Sequence, residues 1–411
     1  MLTLLKNKKL LFGMIALVVV TATISVLVTG LVLYNWNGFQ PRNEITFDPN
    51  KVSTQNIDKF NQVRKILENK YYKGIDENSM LEGAIGGMAQ SLNDPYTAYY
   101  TKEQMQMLTE DINGSYVGIG ISIDLDKDGL VTVIEPFEGS PAQKAGVKQG
   151  DKITKVNGKD VTGLKDSNTV VKLIKGTEGT SVKVTFYRPS EGKSFDLDIV
   201  RKKIKVENLK SEMLPGDIGY IQIKTFDAEI NNYFQNSLNS LIKQGMKGLI
   251  IDLRDDPGGY YDQVVAIADR LLPKGVIVYT EDKNKKREYE NSDARELGMP
   301  IAVLVNGNSA SASEILSGAI KDFKKGTLIG TKTFGKGLVQ QEYTLGDGSG
   351  VKVTIARYFT PSGVCIQGIG IQPNIEVKLP DKYKNIPVSQ VQRSDDTQLQ
   401  KAIDVIQGQI K

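Results

Sequence analysis

Ser311 and Lys336 are the two residues with which this chain could carry out nucleophilic chemistry, because its 411 residues include no histidine. The lack of histidine excludes every Ser-His-Asp and Cys-His arrangement and every histidine metal site. A single cysteine, Cys365, excludes a thiolate metal site and internal disulfides. A nucleophilic hydroxyl in this chain therefore needs another base, and lysine is the usual substitute.

Ser311 is predicted to lie at a turn between a buried strand and a helix. The apolar run 301–305 is typical of a buried strand, and a segment rich in Gly, Asn and Ser follows it. Apolar residues then recur at helical spacing from Ile315 to Phe323. Backbone N–H groups at a helix start are unpaired and bind anions, so a nucleophile there has part of an oxyanion hole beside it.

Lys336 stands between two glycines, in a segment that we interpret as a strand with a glycine-rich entry. Positions 336, 338 and 340 share one face of such a strand, so the amide oxygen of Gln340 is predicted to orient the lysine nitrogen. A lysine base must be neutral, which requires a pKa well below about 10.4. Burial in an apolar pocket lowers the pKa of a lysine in this way.

Other interpretations of these segments compete with catalysis. Ser311 and Glu314 match S-x-x-E, a helix capping box, and a lysine between glycines is commonly a solvated loop residue. Residues 330–337 nearly match the phosphate loop G-x-x-x-x-G-K-[ST]. Gly337 replaces the hydroxyl residue, however, and a strand rather than a helix is predicted to follow. We therefore expect neither a nucleotide nor any metal or other cofactor.

The N-terminus predicts a membrane anchor. Lys6, Lys8 and Lys9 precede an uncharged stretch from Leu10 to Tyr34, which is long enough to cross the roughly 30 Å hydrocarbon core of a bilayer. The lysines predict a cytoplasmic N-terminus, a single-pass helix and an extracytoplasmic remainder. A cleaved signal peptide is the alternative. The charge is balanced, with 52 basic and 48 acidic residues and a net charge of +4, so no nucleic-acid partner is expected.

Composition and periodicity divide the chain into six predicted segments. These are a cytoplasmic tip and transmembrane helix (1–36), a linker (37–54), a helical arm (55–112), a β-rich unit (113–202), an α/β core with a mixed sheet (203–380), and a C-terminal linker and helix (381–411). The arm carries two apolar stripes, Ile57, Phe60, Val63, Leu67 and Tyr71, and Leu81, Ile85, Met88 and Leu92. Such an arm either covers the core or forms a dimer contact.

The β-rich unit closely resembles a PDZ domain. Its run S-P-A-x-x-A-G-V-x-x-G-D-x-I-x-x-V-N-G begins at Ser140, and Y-x-G-I-G-I begins at Tyr116. The resemblance implies that backbone N–H groups of the second motif take the C-terminal carboxylate of a peptide, which adds as a strand beside Ile119 to Ile123. The implied peptide-binding residues are Tyr116, Val117, Gly118, Ile119, Gly120 and Ile121.

From residue 55 to its end, the chain resembles a carboxyl-terminal processing peptidase, or tail-specific protease. The motifs that carry the resemblance are S-A-S-A-S-E at 309–314, G-K-G-x-V-Q at 335–340, D-L-R-x-x-P-G-G at 252–259 and Y-F-T-P-S-G at 358–363. The resemblance implies a crotonase-like and ClpP-like α/β core with the PDZ domain inserted. It further implies that Ser311 is the nucleophile, that Lys336 is the base and that Gln340 supports the lysine. Backbone N–H groups of Gly258, or of Gly259, and of Ala312 would form the oxyanion hole.

Three positions depart from the family pattern, and one of them is Val364, which replaces a residue that is commonly basic. Asp256 stands where asparagine is usual, and a carboxylate there would favour a charged Lys336, with Arg254 as its candidate counter-ion. Lys175 stands where arginine is common, at a position linked to communication between the PDZ domain and the protease.

The sequence therefore predicts a membrane-anchored, extracytoplasmic serine endopeptidase that recognises protein C-termini through its PDZ domain. The alternative is a PDZ-containing binding protein with an inactive or latent protease core. The helical ends are compatible with a homodimer. The substrate and the pathway, whether envelope maintenance, signalling or spore formation, stay open.

Overall fold

The computed structural model describes residues 51, 53–164, 166–384 and 386–410. The predicted membrane span from Leu10 to Tyr34 lies outside these residues. Within the described ranges, no helix is both long enough and apolar enough to cross a membrane. The chain divides into two compact units, one ending at Met80 and a larger one that begins at Leu81.

The predicted helical arm consists of three helices and a short strand. Its elements are α1 (Thr54–Lys70), α2 (Glu77–Gln90), β1 (Ala98–Tyr100) and α3 (Lys102–Ile112). The apolar stripe of α1 is exposed, as Phe60 (45%) and Val63 (51%) illustrate. In α2, Leu81 and Met88 are also exposed. These stripes therefore remain available for a partner surface.

The β-rich unit has its own core. Its elements are β2 (Ser115–Gly118), β3 (Ile121–Leu125), β4 (Val131–Pro136), α4 (Pro141–Lys144), β5 (Lys152–Val156), β6 (Lys159–Asp160), α5 (Ser167–Ile174), β7 (Ser181–Arg188), β8 (Lys193–Val200) and β9 (Lys202–Lys205). The main sheet has the order β3-β4-β5-β7-β8, and β2 pairs with β9 apart from it. Ile119, Ile153, Val170 and Phe186 are among the side chains that fill the core.

The alternation of Val117, Ile119, Ile121 and Ile123 in the sequence predicts a single half-buried strand, but this prediction is wrong because two strands occupy the stretch. Gly120 has φ +77°, a conformation that favours glycine and ends the extended run. As a result β2 pairs with β9, whereas β3 pairs with β4.

The α/β core follows in the predicted alternation of strands and helices. Its elements are β10 (Leu209–Leu214), β11 (Ile218–Ile223), α6 (Ile230–Lys243), β12 (Gly248–Asp252), α7 (Tyr261–Leu271), β13 (Gly275–Asp282), β14 (Arg287–Ser292), β15 (Ile301–Val305), α8 (Ala312–Asp322), β16 (Gly326–Gly330), β17 (Leu338–Thr344), β18 (Gly350–Phe359), β19 (Ile375–Glu376) and α9 (Thr397–Gln407). The main sheet has the order β10-β11-β12-β15-β16-β19, antiparallel at β10–β11 and parallel elsewhere. The predicted mixed sheet is confirmed.

Both faces of this sheet are covered by helices, which explains its continuous apolar strands. Side chains alternate along β12, so Leu249 and Ile251 join the core formed with α6, α7 and α8, whereas Ile250 joins the core formed with α9. A second sheet has the order β1-β18-β13-β14, with β17 also paired to β18. The loop before β17 carries Lys336, and the turn before α8 carries Ser311.

Candidate active site

Ser311 lies between β15 and α8, as the sequence predicts. It is the residue directly before the helix and has φ 55° and ψ −113°. An L-residue rarely adopts this backbone conformation, and it persists only where the surroundings hold it in place. The S-x-x-E sequence does form a capping box, in which the N–H of Ser311 donates to Oε2 of Glu314 at 3.0 Å.

Glu314 does much more than cap the helix. Its carboxylate is fully buried, and it accepts further hydrogen bonds from Thr333 Oγ1 (2.5 Å) and from the N–H groups of Gly335 and Lys336, both at 2.8 Å. Burial raises the pKa of Glu314, although these four donors oppose the rise. One side chain thus binds the turn that bears the candidate nucleophile to the loop that bears the candidate base.

Tyr358 joins the same two segments from β18. Its buried hydroxyl lies 2.5 Å from the carbonyl oxygen of Lys336 and 3.2 Å from that of Ser311. Burial raises the pKa of Tyr358 well above its ordinary value, so its proton stays in place to bridge the two carbonyls. The sequence marks Glu314 only as a helix-capping residue and Tyr358 only as part of the motif Y-F-T-P-S-G, so neither is predicted to belong to the site.

Lys336 is half-buried in the loop that precedes β17, with its Nζ 5.0 Å from the centre of the Tyr96 ring. Burial lowers the pKa of Lys336, and the positive charge of Lys352 lowers it further, whereas Glu314 and Asp94 oppose the change. The direction is the one that a lysine base requires. In the part of the chain that the structure describes, no hydrogen bond joins Nζ to Ser311.

The regular strand alternation that predicts Gln340 on the same face as Lys336 is not present. The strand begins at Leu338 rather than at Lys336, and a register shift between Val339 and Gln340 interrupts the alternation of side chains. The amide nitrogen of Gln340 instead donates to Thr354 Oγ1 at 3.4 Å. The supporting role of Gln340 stays a prediction that rests on the family resemblance.

The structure brings Gly258 and Ala312 together at Ser311. A Cβ atom added to Gly258 would lie only 2.8 Å from Cβ of Ser311 and 2.9 Å from the nitrogen of Ala312, so the chain is as close there as glycine permits. Gly259 packs against a different segment, because a Cβ atom added to it would lie 2.2 Å from the carbonyl oxygen of Phe226. Gly258 is therefore the better placed of the two candidate glycines.

Asp256 contacts the oxyanion candidate rather than the lysine. Its Oδ1 accepts the N–H of Gly258 at 2.9 Å, and the whole residue is buried. Burial raises the pKa of Asp256 well above its ordinary value, which favours the neutral acid. Arg254 is not its counter-ion, contrary to expectation, because the guanidinium pairs with Asp252 at 2.6 Å and with Asp396 at 2.8 Å.

The candidate peptide-binding residues of the β-rich unit surround a free sheet edge. Tyr116, Val117 and Gly118 belong to β2, and Ile121 begins β3, which is the last strand of its sheet. Between the two strands, the N–H groups of Ile119 and Gly120 donate to no acceptor in the described chain. A free edge next to unpaired N–H groups is what an added peptide strand and its carboxylate require.

Lys175, at the end of α5, pairs with a residue outside the β-rich unit. Its Nζ lies 3.1 Å from Glu110 of helix α3 and 4.8 Å from the centre of the Tyr116 ring. A charged contact thus joins the β-rich unit to α3.

The described residues contain no cluster of three or more His, Cys, Asp or Glu side chains arranged to hold a metal ion. The segment that resembles a phosphate loop leads into β17 and not into a helix, as predicted. The backbone at Lys336 therefore lacks the helix N-terminus that a phosphate loop provides.

Three family models match successive parts of the chain. Peptidase family S41 matches residues 217–377, a PDZ domain matches residues 117–199, and the N-terminal domain of the activating protease CtpB matches residues 31–104. These three models correspond to the α/β core, the β-rich unit and the helical arm, respectively, except that the third model begins at residue 31 and ends at residue 104.

Individual relatives agree with these matches. The chain is 38% identical over 384 residues to the carboxy-terminal processing protease CtpA of Bacillus subtilis (strain 168), covering 93% of this chain and 79% of that protein. It is 39% identical over 343 residues to a CtpA-like serine protease of Staphylococcus aureus (strain COL), covering 82% of this chain and 68% of that protein.

A solved structure of an S41 protease from Bacteroides fragilis NCTC 9343 shares the fold. The TM-score is 0.50 at 16% identity, and the match covers 77% of this chain and 87% of that one. The relatives, together with the matched family models, show that the chain belongs to peptidase family S41 and is a serine peptidase with a PDZ domain.

Proposed function

We propose that this peptidase is an endopeptidase in which Ser311 is the nucleophile and Lys336 is the general base. The observation that carries the proposal is the shared anchoring of the two residues. Glu314 accepts the N–H of both, and Tyr358 bridges the carbonyl oxygens of both. No histidine is present to act as the base instead.

The proposed reaction proceeds in two halves. Neutral Lys336 takes the hydroxyl proton of Ser311 as Oγ bonds to the peptide carbonyl carbon, and the N–H groups of Gly258 and Ala312 stabilise the oxyanion. The peptide C–N bond then breaks, and Lys336 returns the proton to the departing amine. Water hydrolyses the resulting ester in the same way and regenerates Ser311. No metal or nucleotide takes part.

Several contacts are those of a resting site. Lys336 Nζ lies against Tyr96, Gln340 is turned to Thr354, and the N–H of Gly258 is bonded to Asp256. We propose that bound substrate shifts the population toward a state in which Nζ meets Ser311 Oγ and Gln340 supports it. The same contacts also favour the alternative function, a peptide-binding protein whose protease core is latent.

The PDZ domain is proposed to capture an apolar or unstructured protein C-terminus. The free N–H groups of Ile119 and Gly120 suit a terminal carboxylate, and β3 offers its edge for strand addition. The pairing of Lys175 with Glu110 is the contact most suited to report an occupied PDZ domain to α3.

The location and assembly of the enzyme form part of the same proposal. The uncharged stretch from Leu10 to Tyr34 would anchor the chain with its N-terminus in the cytoplasm and its catalytic part outside. The exposed stripes of α1 and α2 support a homodimer through the arm. The near balance of charge gives no basis for nucleic-acid binding.

The function is tested by digestion of a flexible protein with an apolar C-terminus by the full chain in detergent. We expect the parent to cleave it, Ser311→Ala and Lys336→Ala to be inactive, and the exposed neighbour variant Lys332→Ala to retain activity. Full activity of Lys336→Ala would refute the proposed base.

Substrate capture is tested on the same system with a matched pair of peptides. Each carries the apolar C-terminus, one with a free carboxylate and the other amidated. Only the free acid is expected to bind and to compete with cleavage, because the amide lacks the charge that the N–H groups attract. Equal competition by both peptides would contradict recognition of the C-terminus.

A further inference from the structure

Asp256 has an unusual environment for an acidic side chain. It is completely buried, and its Oδ2 has no hydrogen-bond partner among the described residues. Its Oδ1 holds the N–H of Gly258, and its own carbonyl oxygen accepts Ser313 Oγ at 3.1 Å and the N–H of Ala310 at 3.0 Å. The residue thus lies beneath the turn that carries Ser311, with one oxygen on the proposed oxyanion donor.

We propose that Asp256 is a positioning residue that controls the oxyanion hole, and that the enzyme is active only while its carboxyl group is neutral. This inference rests on the proposed role of Gly258. An ionised carboxylate would hold the Gly258 N–H by a charge-assisted bond, which is roughly twice as strong as a neutral one. It would also place a negative charge next to the oxyanion that the transition state must develop. The neutral acid binds the N–H more weakly and adds no charge.

The surroundings explain why the neutral form can persist. Burial is the main cause of the raised pKa of Asp256, and the negative charge of Asp252 adds to it, whereas the bonds from Gly258 and Ser313 oppose it. Charged groups on the adjoining segments are bonded to other partners. Arg254 pairs with Asp252 and Asp396. Asp255 is bonded to Asn306, Asn308 and the N–H of Val388. Glu314 is bonded to four donors and Asp227 to Asn208.

Asp256 acts through Gly258 and not through the base. The charges that shift the pKa of Lys336 are those of Lys352, Glu314 and Asp94. Ionisation of Asp256 is therefore expected to appear as a loss of activity that is separate from the rise that accompanies deprotonation of Lys336. An asparagine at this position has the same shape and the same carbonyl acceptor, but it cannot ionise.

The test compares kcat/KM across pH for the full-chain parent, Asp256→Asn and the matched control Asp255→Asn, using the peptide with a free apolar C-terminus. The parent is expected to lose about tenfold in kcat/KM per pH unit above the ionisation of Asp256, because one proton is involved. Asp256→Asn keeps its activity there, so the ratio of variant to parent rises with pH. Asp255 has a lowered pKa and is ionised throughout, so its variant leaves the shape of the profile unchanged.

The results distinguish failure of this inference from failure of the proposed function. A ratio of Asp256→Asn to parent that is constant across pH overturns this inference, while an inactive Ser311→Ala in the same assay leaves the proposed function standing. Activity in Ser311→Ala refutes the proposed function itself. If Asp256→Asn does not fold, infrared titration of the parent with ¹³C-labelled aspartate decides the matter, because the label shifts the aspartate carboxyl bands away from the band of Glu314. An aspartate that is protonated while the enzyme is active and ionises over the pH range in which activity falls supports the inference. If no aspartate titrates in that range, the inference is overturned.

Discussion

The carboxylate of Glu314 accepts the backbone N–H of Lys336 at 2.8 Å, and the same oxygen accepts the N–H of Ser311 at 3.0 Å. The two bonds meet at one atom of a fully buried side chain. Because this one atom accepts both N–H groups, it sets the separation between the segment of the nucleophile and the segment of the base. The geometry needed for proton transfer between them thus depends on a residue that does not touch the substrate.

Glu314→Gln is expected to damage this arrangement even though the side chain keeps its shape. Both carboxylate oxygens accept from N–H groups, and an amide nitrogen cannot accept. At least one buried donor loses its acceptor, at a cost of about 1–3 kcal/mol for each. A shift of the loop of about 1 Å would lower kcat/KM on the order of 100-fold. Denaturant unfolding and peptide cleavage measure the two effects.

The exposed Glu342 of β17 supplies the control for this substitution. Glu342→Gln makes the same chemical change at the surface, and we expect neither stability nor kcat/KM to respond. If Glu314→Gln resembled Glu342→Gln in both measurements, Glu314 would be a helix cap and nothing more.

The elements around the nucleophile were predictable because each has a local cause. The apolar run from Ile301 to Val305 forms the buried strand β15, and the periodic residues after Ser311 form α8. The strand after Lys336, rather than a helix, also follows from local pattern. These features depend on neighbours in the sequence, which a single chain displays.

The contacts of Glu314 and Gln340 could not be predicted, because they depend on partners distant in sequence or on an irregularity. The motif S-x-x-E predicts a helix cap, but it does not predict whether the N–H groups of Gly335 and Lys336 also donate to the carboxylate. The position of the charged Glu314 on the apolar side of α8 was the one feature of the sequence that indicated further contacts. For Gln340, the register shift in β17 alters the facing of the side chain, and no residue type marks it.

Lys352→Gln is expected to move the acidic limb of the pH profile to higher pH. The positive charge of Lys352 contributes to the lowered pKa of Lys336, so its removal raises that pKa. The base is then protonated over a wider range, because a lysine is neutral only above its pKa. At a fixed pH on this limb, kcat/KM falls about tenfold for each pH unit that the limb moves. A kcat/KM profile of parent and variant checks the shift.

Asp94→Asn is expected to shift the acidic limb of the pH profile in the opposite direction from Lys352→Gln. The negative charge of Asp94 raises the pKa of Lys336, so its removal should move the acidic limb to lower pH. The exposed variant Lys332→Gln should leave the limb in place. Shifts of the same sign in Lys352→Gln and Asp94→Asn would show that Lys336 is not the group that titrates on this limb.

The C-terminal helix is attached to the loop that carries Asp256 and Gly258 through a buried arginine. Arg254 donates to both oxygens of Asp396 at 2.8 Å and to both oxygens of Asp252. Asp396 in turn caps α9 by accepting the N–H of Leu399 at 3.0 Å. Burial alone would lower the pKa of Arg254, but the two carboxylates raise it well above its ordinary value, so the charge persists.

Asp396→Ala is therefore expected to destabilise the core by about 3–5 kcal/mol, because it leaves a buried guanidinium without one of its two carboxylates. The neighbouring Asp395→Ala removes an ion pair with Lys382 that is open to solvent and should cost much less. Denaturant unfolding ranks the two variants. Asp396→Ala should also lower kcat/KM, because the Arg254 loop then holds Gly258 less firmly beside Ser311. Equal stability of the two variants would mean that hydrophobic packing of α9, and not Arg254, keeps this loop in position.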